Sequence, residues 1–380
     1  MKTLLKTGLT LTLMIGFITT NATNKNYEYQ NPHIEKNKQY IKVALLLDTS
    51  NSMDGLIDQA KAQLWSIVNE LSYAKCDDER PNLQIALYEY GNDNLSSHEG
   101  YIRQVLGFTN DLDDISKELF SLTTKGGSEF CGQVIQSSLN QLDWGSNEDD
   151  LKLIFIAGNE PFNQGKVSYK HSATNANEKD VTVNTIFCGN YQQGVSTLWK
   201  DGAILTNGDY LAIDHNQKTV HIASPYDDAI LELNIRLNKT YIAYGKRGNA
   251  KAMIQMAQDS EAKSYSKANA VGRTVSKSSH FYKNSKWDLV DALEEKIVEV
   301  EELDDKALPD TLKGKSTKEI RAYVTKKSKE RLQIQKEIQE LNTKRKAYVA
   351  SKQKGTKNGL ENAMIQAIKT QAKKKNYKWN

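Results

Sequence analysis

Apolar runs of strand length alternate with stretches of helical period over about residues 40–243. This pattern predicts an α/β fold, a doubly wound, mostly parallel six-stranded sheet covered on both faces, with a C-terminal helical region after it. Three observations carry the prediction. Leu151–Ala157 (LKLIFIA) is almost continuously apolar, as a central strand buried on both faces has to be. Asp54–Leu71 puts Leu56, Ile57, Ala60, Leu64, Ile67, Val68 and Leu71 on one helix face. Ile41–Ser52 (IKVALLLDTSNS) ends an apolar strand abruptly in one carboxylate and several hydroxyls, and that helix follows at once.

The elements follow in order. Tyr40–Leu47 is the first strand and Leu83–Tyr90 the second. Gly91-Asn92-Asp93-Asn94 has turn chemistry, and Tyr101–Phe108 returns as a third strand, so the short link predicts an antiparallel edge hairpin. Asn110 or Asp111 caps a helix containing Leu112, Ile115, Leu119 and Phe120. The loop Gly126-Gly127-Ser128-Glu129 precedes a helix carrying Val134, Ile135, Leu139 and Leu142. Leu151–Ala157, Val181–Cys188 and Asp209–Ile213 are strands four to six, and Asp227–Leu237, after Pro225, is the closing helix.

The chain has 380 residues and a formal charge of +4, enough for one good-sized domain and an appendage. Lys2 and Lys6 precede an apolar stretch, Leu9–Thr19, too short to span a bilayer, and Thr20-Asn21-Ala22 offers small residues for cleavage. Residues 1–22 are therefore expected to be an export signal and 23–39 a polar, flexible lead-in. The mature protein is expected in the periplasm or secreted, with no further transmembrane segment.

Asp48, Ser50 and Ser52 sit on the turn leaving the first strand, at the sheet edge where open α/β folds bind ligands. A carboxylate with neutral oxygens suits a hard divalent cation such as Mg²⁺, with Mn²⁺ or Ca²⁺ as alternatives. The blander role for Asp and Ser here is to cap the next helix. The order Asp-x-Ser-x-Ser resembles the metal-ion-dependent adhesion site of von Willebrand factor type A domains, and the element order over residues 40–243 is similar to that family. ALYEYGND, GGSEFCGQVI, FIAGNEPFNQG and LNKTYIAYG resemble an exported bacterial subgroup of it. The resemblance implies a site drawn from three loops. Asp48, Ser50 and Ser52 match the first, and Ser128 stands where the second usually presents a Thr. Thr123 and Thr124 rank lower, on the helix-end side. The third departs: the usual Asp is missing from Ala157-Gly158-Asn159-Glu160-Pro161, so Asn159 or Glu160 stands in, and a Mg²⁺ site of modest affinity is expected. Glu129 and Phe130 are read as shaping the ligand surface.

The chain has three cysteines. Cys131 begins the helix after the second loop and Cys188 ends the fifth strand, so in this fold both belong to the ligand edge, with Cys76 at the opposite edge. A Cys131–Cys188 disulfide is expected, with Cys76 free; it would stabilise by roughly 3–5 kcal/mol in the chain-entropy model. A nucleophilic Cys131 at a helix start and a free buried thiol are the alternatives. His98 and His171 are the nearest bases in sequence. The six histidines lack metal-ligand spacing, and no Ser-His-Asp set, Gly-x-Ser-x-Gly elbow or phosphate loop is legible.

Composition changes after Gly245. Residues 244–286 predict a linker or loosely packed helices, and 287–380 a helical, partly coiled-coil-like region. Ser316-Thr317-Lys318-Glu319 is a capping-box signature opening a helix to about Ser351. Its seam of Ile320, Val324, Ile334, Ile338, Leu341 and Tyr348 is interrupted by Lys327, Arg331 and Arg345, which predicts a helical hairpin or a short self-association face. Lys354–Gly359 would be a turn before a helix over Leu360–Ala372. The basic tail lacks aromatic interleaving, which speaks against nucleic acid.

These readings predict an exported binding or adhesion protein, not an enzyme, that recognises a carboxylate on a protein or cell-envelope partner through a Mg²⁺-bearing site. The alternative is a structural envelope factor with a degenerate metal site that interacts through its C-terminal helices.

Overall fold

The structure is a computed structural model that describes residues 38–216, 222–352 and 360–379. The expected signal (1–22), most of the lead-in and the Lys354–Gly359 turn lie outside the described residues. No helix among the described residues is long and apolar enough to cross a membrane.

In chain order the first half comprises β1 (Tyr40–Asp48), α1 (Asp54–Leu71), β2 (Ala74–Cys76), β3 (Asn82–Tyr90), β4 (Ile102–Thr109), α2 (Leu112–Ser121), α3 (Cys131–Gln141), β5 (Leu151–Gly158), α4 (Tyr169–Glu178), β6 (Thr182–Cys188), α5 (Tyr191–Ser196), α6 (Trp199–Ile204) and β7 (Tyr210–Ile213). Then follow α7 (Asp227–Asn238), α8 (Gly248–Tyr265), α9 (Lys267–Lys277), α10 (Leu289–Glu294), α11 (Thr317–Lys352), α12 (Leu360–Lys373) and β8 (Tyr377–Trp379).

Among the described residues six strands form the main sheet, in the order β4-β3-β1-β5-β6-β7. Only β4 runs antiparallel, at one edge, as the hairpin pattern predicts. Successive strands move outward one way from β1 and the other way from β5. The carboxyl ends of β1 and β5 therefore flank the switch point, where a crevice opens in such sheets. Two-residue alternation fills both faces. Leu153 and Phe155 of β5 join one core cluster, Ile154 and Ile156 the other. Helices α3, α4 and α6 supply Val134, Tyr169 and Trp199 to the second cluster.

The first cluster includes α12, through Leu360, Met364, Ala367 and Ile368. Thus α12 covers the sheet beside α1, while α7, the expected closing helix, packs Ile230, Leu233 and Leu237 on Val271, Val275, Ile334 and Ile338 of α9 and α11. The small strand β8 pairs with β2, with Tyr377 opposite Cys76.

The linker or loose helices expected over 244–286 are replaced by α8 and α9. Polar groups hold α9 against α1: Asn69 Nδ2 donates to the Gly272 carbonyl (2.9 Å), Ser276 Oγ to Asn69 Oδ1 (2.7 Å) and Asn269 Nδ2 to the Lys61 carbonyl (2.8 Å). The capping box forms as predicted, with Ser316 N donating to Glu319 Oε2 (2.9 Å) and Glu319 N to Ser316 Oγ (3.4 Å). The interruptions of the α11 seam have a physical reason. Arg331 is buried, donates to Asp288 Oδ2 (2.6 Å), Asp291 Oδ1 (2.8 Å) and the Thr240 carbonyl (2.9 Å), and lies over the Tyr241 ring. Arg345 pairs with Asp227 (2.9 Å). The α11 seam is thus spent inside the molecule rather than on a coiled-coil partner.

The expected disulfide does not form: Cys76, Cys131 and Cys188 are all buried and none is bridged to another. Both of the paired candidates are near the same sheet edge, but Cys188 belongs to the α1–α12 face and Cys131 to the α3 face, so the sheet separates them.

If α12 is part of the core, Ile368→Ala should destabilise the full chain by about 2–5 kcal/mol in guanidinium unfolding. A loss below about 0.5 kcal/mol, typical of surface changes, would make α12 an appendage.

Candidate metal centre

β1 is hydrogen-bonded on both sides, to β3 and β5, so its last residue is fixed at the switch point. That residue, Asp48, is fully buried. Its Oδ1 accepts the Ser50 N–H (2.8 Å), which turns the chain into α1. Among the described residues its Oδ2 has no hydrogen-bond partner, nor do Glu129 Oε2 and Asn159 Oδ1. Ser50 Oγ lies 3.4 Å from Ser52 Oγ, and Asn159 Nδ2 donates to Ser52 Oγ (3.1 Å). The first and third loops are therefore in contact through their side chains.

The second loop brings a further residue to them. Ser128 is exposed, whereas Glu129 is only 4% exposed and sits against Asp48 and Ser50. Burial first, and then the Glu129 carboxylate beside it, push the Asp48 carboxyl well above the usual carboxylate range. Burial raises Glu129 too, and the Glu160 carboxylate adds to that, while the neighbouring Asp48 and Ser50 side chains and the Glu160 backbone oppose it. Two buried carboxyls this close disfavour each other's ionised form, and a cation between them would relieve that. The exposed Glu160 side chain accepts from Gln164 (3.0 Å). Of the residues expected in this site, Asp48, Ser50, Ser52 and Asn159 come together; Ser128 is exposed, and the exposed Glu160 carboxylate is near enough to Glu129 to raise it. Thr124 hydrogen-bonds Asp54 instead, and the Thr123 carbonyl accepts from Asn92 (2.9 Å).

Two glycines make the space. A Cβ on Gly158 would lie 2.5 Å from Tyr90 OH and 3.0 Å from Asp48 Oδ2. Gly91, at φ +77°, would set one 2.7 Å from Glu129 Cγ and 2.9 Å from Asp48 Oδ1. The loops are also tied by backbone: Thr49 N donates to the Tyr90 carbonyl (2.9 Å), Lys125 N to that of Thr49 (2.9 Å) and Asp93 N to that of Gly126 (2.6 Å).

A nucleophilic Cys131 is not supported. Burial pushes its thiol well up, and its Sγ faces Tyr90 OH at 3.9 Å, while His98 and His171 are exposed.

The domain holding these loops is recognisable in the sequence. Residues 42–197 form a von Willebrand factor type A domain. Solved structures resemble this part of the chain. BatB from Bacteroides thetaiotaomicron is 17% identical, with 46% of this chain and 90% of that one covered and a TM-score of 0.35. The SpRpn10 VWA domain is 14% identical, with 48% and 99% covered and a TM-score of 0.34. Proximal thread matrix protein 1 from the mussel byssus, with a zinc-occupied MIDAS motif, is 13% identical, with 46% and 41% covered and a TM-score of 0.33. No curated protein matches.

The donor set of the A domain fits a hard cation: two carboxylates, two hydroxyls and an amide oxygen, all oxygen, with three of these atoms buried and unpaired. Because the two carboxyls repel when charged, Glu129→Gln should raise the thermal midpoint of the chelator-treated protein. It should also reduce any midpoint shift on adding Mg²⁺. A lowered midpoint in chelator would show that the pair is not strained by like charge.

Proposed function

We propose that the protein is a metal-ion-dependent binding protein, not an enzyme, whose A domain takes Mg²⁺ at the sheet edge and captures a carboxylate on a protein or cell-envelope partner. The observation that supports this is the convergence of unpaired buried oxygens from three loops, Asp48 Oδ2, Glu129 Oε2 and Asn159 Oδ1, beside the Ser50 and Ser52 hydroxyls. Asp48 and Glu129 would supply the charge that holds the ion, Ser50 and Ser52 neutral donors, and Asn159 the amide oxygen. When bound, the ion supplies an electrophilic position for an incoming anionic oxygen. The N-terminal lysines and apolar stretch support export to the periplasm or beyond.

The helical region offers less as an interaction surface, because the apolar faces of α11 and α12 are occupied within the molecule.

Calorimetry of the full chain with Mg²⁺ and Mn²⁺ tests the reading. Binding is expected, and Asp48→Asn should abolish it. At about 100 times the dissociation constant the ion should stabilise the fold by roughly 2.7 kcal/mol. Capture of an envelope partner should be lost in chelator and in Asp48→Asn. Absence of heat and of midpoint shift at millimolar metal would refute the metal site; capture indifferent to both would refute its role in binding.

A further inference from the structure

Away from the sheet edge, α7, α8 and α9 bring together a lysine, an asparagine and an aspartate that the metal site does not use. Lys277, the last residue of α9, is fully buried. Its Nζ lies 2.5 Å from Oδ1 of Asn238, the last residue of α7, and 2.9 and 3.2 Å from the two carboxylate oxygens of Asp259 on α8. Asn238 Nδ2 donates to Asp259 Oδ2 (2.7 Å). Asp259 thus touches both the amine and the amide nitrogen. A C=O bond is about 1.23 Å, so Asn238 Cγ is within roughly 3.7 Å of Nζ, close to the separation of a reacting pair.

We infer that Lys277 and Asn238 join in an intramolecular isopeptide bond, with Asp259 carrying the protons. Asp259 takes one proton from the Lys277 ammonium. The freed amine lone pair attacks Asn238 Cγ, forming the new C–N bond. A second proton passes from the attacking nitrogen to Nδ2 by way of Asp259. The Cγ–Nδ2 bond then breaks and ammonia leaves. No oxidant or co-reactant is required; the first proton leaves with the ammonia as ammonium, and Asp259 ends ionised in its pair with Arg273 (2.6 Å).

Against burial, the Lys277 and Arg273 cations hold the Asp259 carboxyl well below the usual carboxylate range, so it passes a proton on rather than keeping it. Burial pushes the Lys277 ammonium down to about 8; Asp259 opposes that shift and Arg273 adds to it. Before the step two cations, Lys277 and Arg273, face two carboxylates, Asp259 and Asp113. After it, Arg273 stands between Asp113 (2.8 Å) and Asp259 (2.6 Å) and pairs with both. Asn234 Nδ2 also donates to Asp259 (3.0 Å), and the Tyr241 ring lies 6.0 Å from Nζ. The bond would fasten the ends of α7 and α9 together across α8.

Tryptic digestion of the purified, denatured full chain, read by fragment mass spectrometry, decides the matter. Leu237–Lys239 is expected joined to Thr274–Lys283, at the sum of their masses less one ammonia, with no cleavage after Lys277. Lys277→Arg should give only unjoined peptides. Asp259→Asn, confirmed as folded by circular dichroism, should lose most of the joined species. Recovery of separate Leu237–Lys239 and Thr274–Lys277 as the main products of the natural chain, even after prolonged incubation at alkaline pH, would overturn the bond. A folded Asp259→Asn protein joined as completely as the natural chain would overturn the proton relay; if that variant does not fold, the natural chain's digest alone decides.

Discussion

The carboxylate of Asp48 is buried at the end of the central strand, with one oxygen held by the Ser50 N–H, the other without a hydrogen-bond partner among the described residues, and Glu129 beside it. Taking such a group out of water is costly unless a proton or a cation compensates it. The strand cannot relieve the cost by fraying, because β1 is paired with β3 through Asp48 and with β5 through Leu47. Nor can the neighbouring loops retreat: Gly91 and Gly158 bring backbone to within a methyl group's width of the carboxylate. The turn from β1 into α1, the approach of the second loop and the position of Asn159 all answer to this one buried charge.

The same turn links the site to the far end of the chain. α1 begins only two residues after Ser52, and the C-terminal helices enclose it. Gln59 and Gln63 are buried on α1, and their side-chain oxygens accept the N–H groups of Leu360 and Glu361, the open donors at the start of α12. Asn69, at the other end of α1, is bound by α9. Near the site, a Cβ on Gly55 would fall 2.3 Å from the His215 carbonyl, so the loop after β7 presses on the first turn of α1. The C-terminal region therefore completes the sheet's cover and fixes the helix on which the metal turn is mounted.

Much of this was legible in the sequence because period and punctuation agree. Asp54–Leu71 coincides with α1, and the apolar LKLIFIA run coincides with β5. What escaped notice lacks an apolar stripe. α4 buries Tyr169 with Ser172, Ala173 and Ala176, and its Ser172 hydroxyl donates to the Gly132 carbonyl (2.7 Å), a close approach that small residues allow and hydropathy does not register. α8 and α9 read as a linker or loosely packed helices because their contacts are largely polar: Arg273, Thr274, Ser276 and Lys277 are buried there. In the site, the first loop was readable from Asp48, Ser50 and Ser52. Glu129 was not recognised as its partner, since a hydroxyl was sought in the second loop and Ser128 stands beside it. The signal was the charge count: the third loop lacks its usual carboxylate, and the second has one to spare. The disulfide failed for a related reason. Sharing an edge is not sharing a face: Phe187 and Cys188 alternate across the sheet.

Moving the second carboxylate from the third loop to the second changes how the site is held. Glu129 is one residue before the helix-leading Phe130, and its loop is fastened to the first by the Lys125–Thr49 and Asp93–Gly126 backbone bonds. The third loop carries a neutral Asn159 and is fastened elsewhere: the Glu160 carbonyl accepts from Trp199 Nε1 (2.7 Å), and Trp199 packs edge-on against Phe162 and Phe187. Both charged donors therefore stand on loops bound to each other, while the neutral one stands on a loop braced by an aromatic cluster. Such an arrangement spends its ordering cost in folding rather than at the moment of binding, so an anionic partner would meet loops already in place.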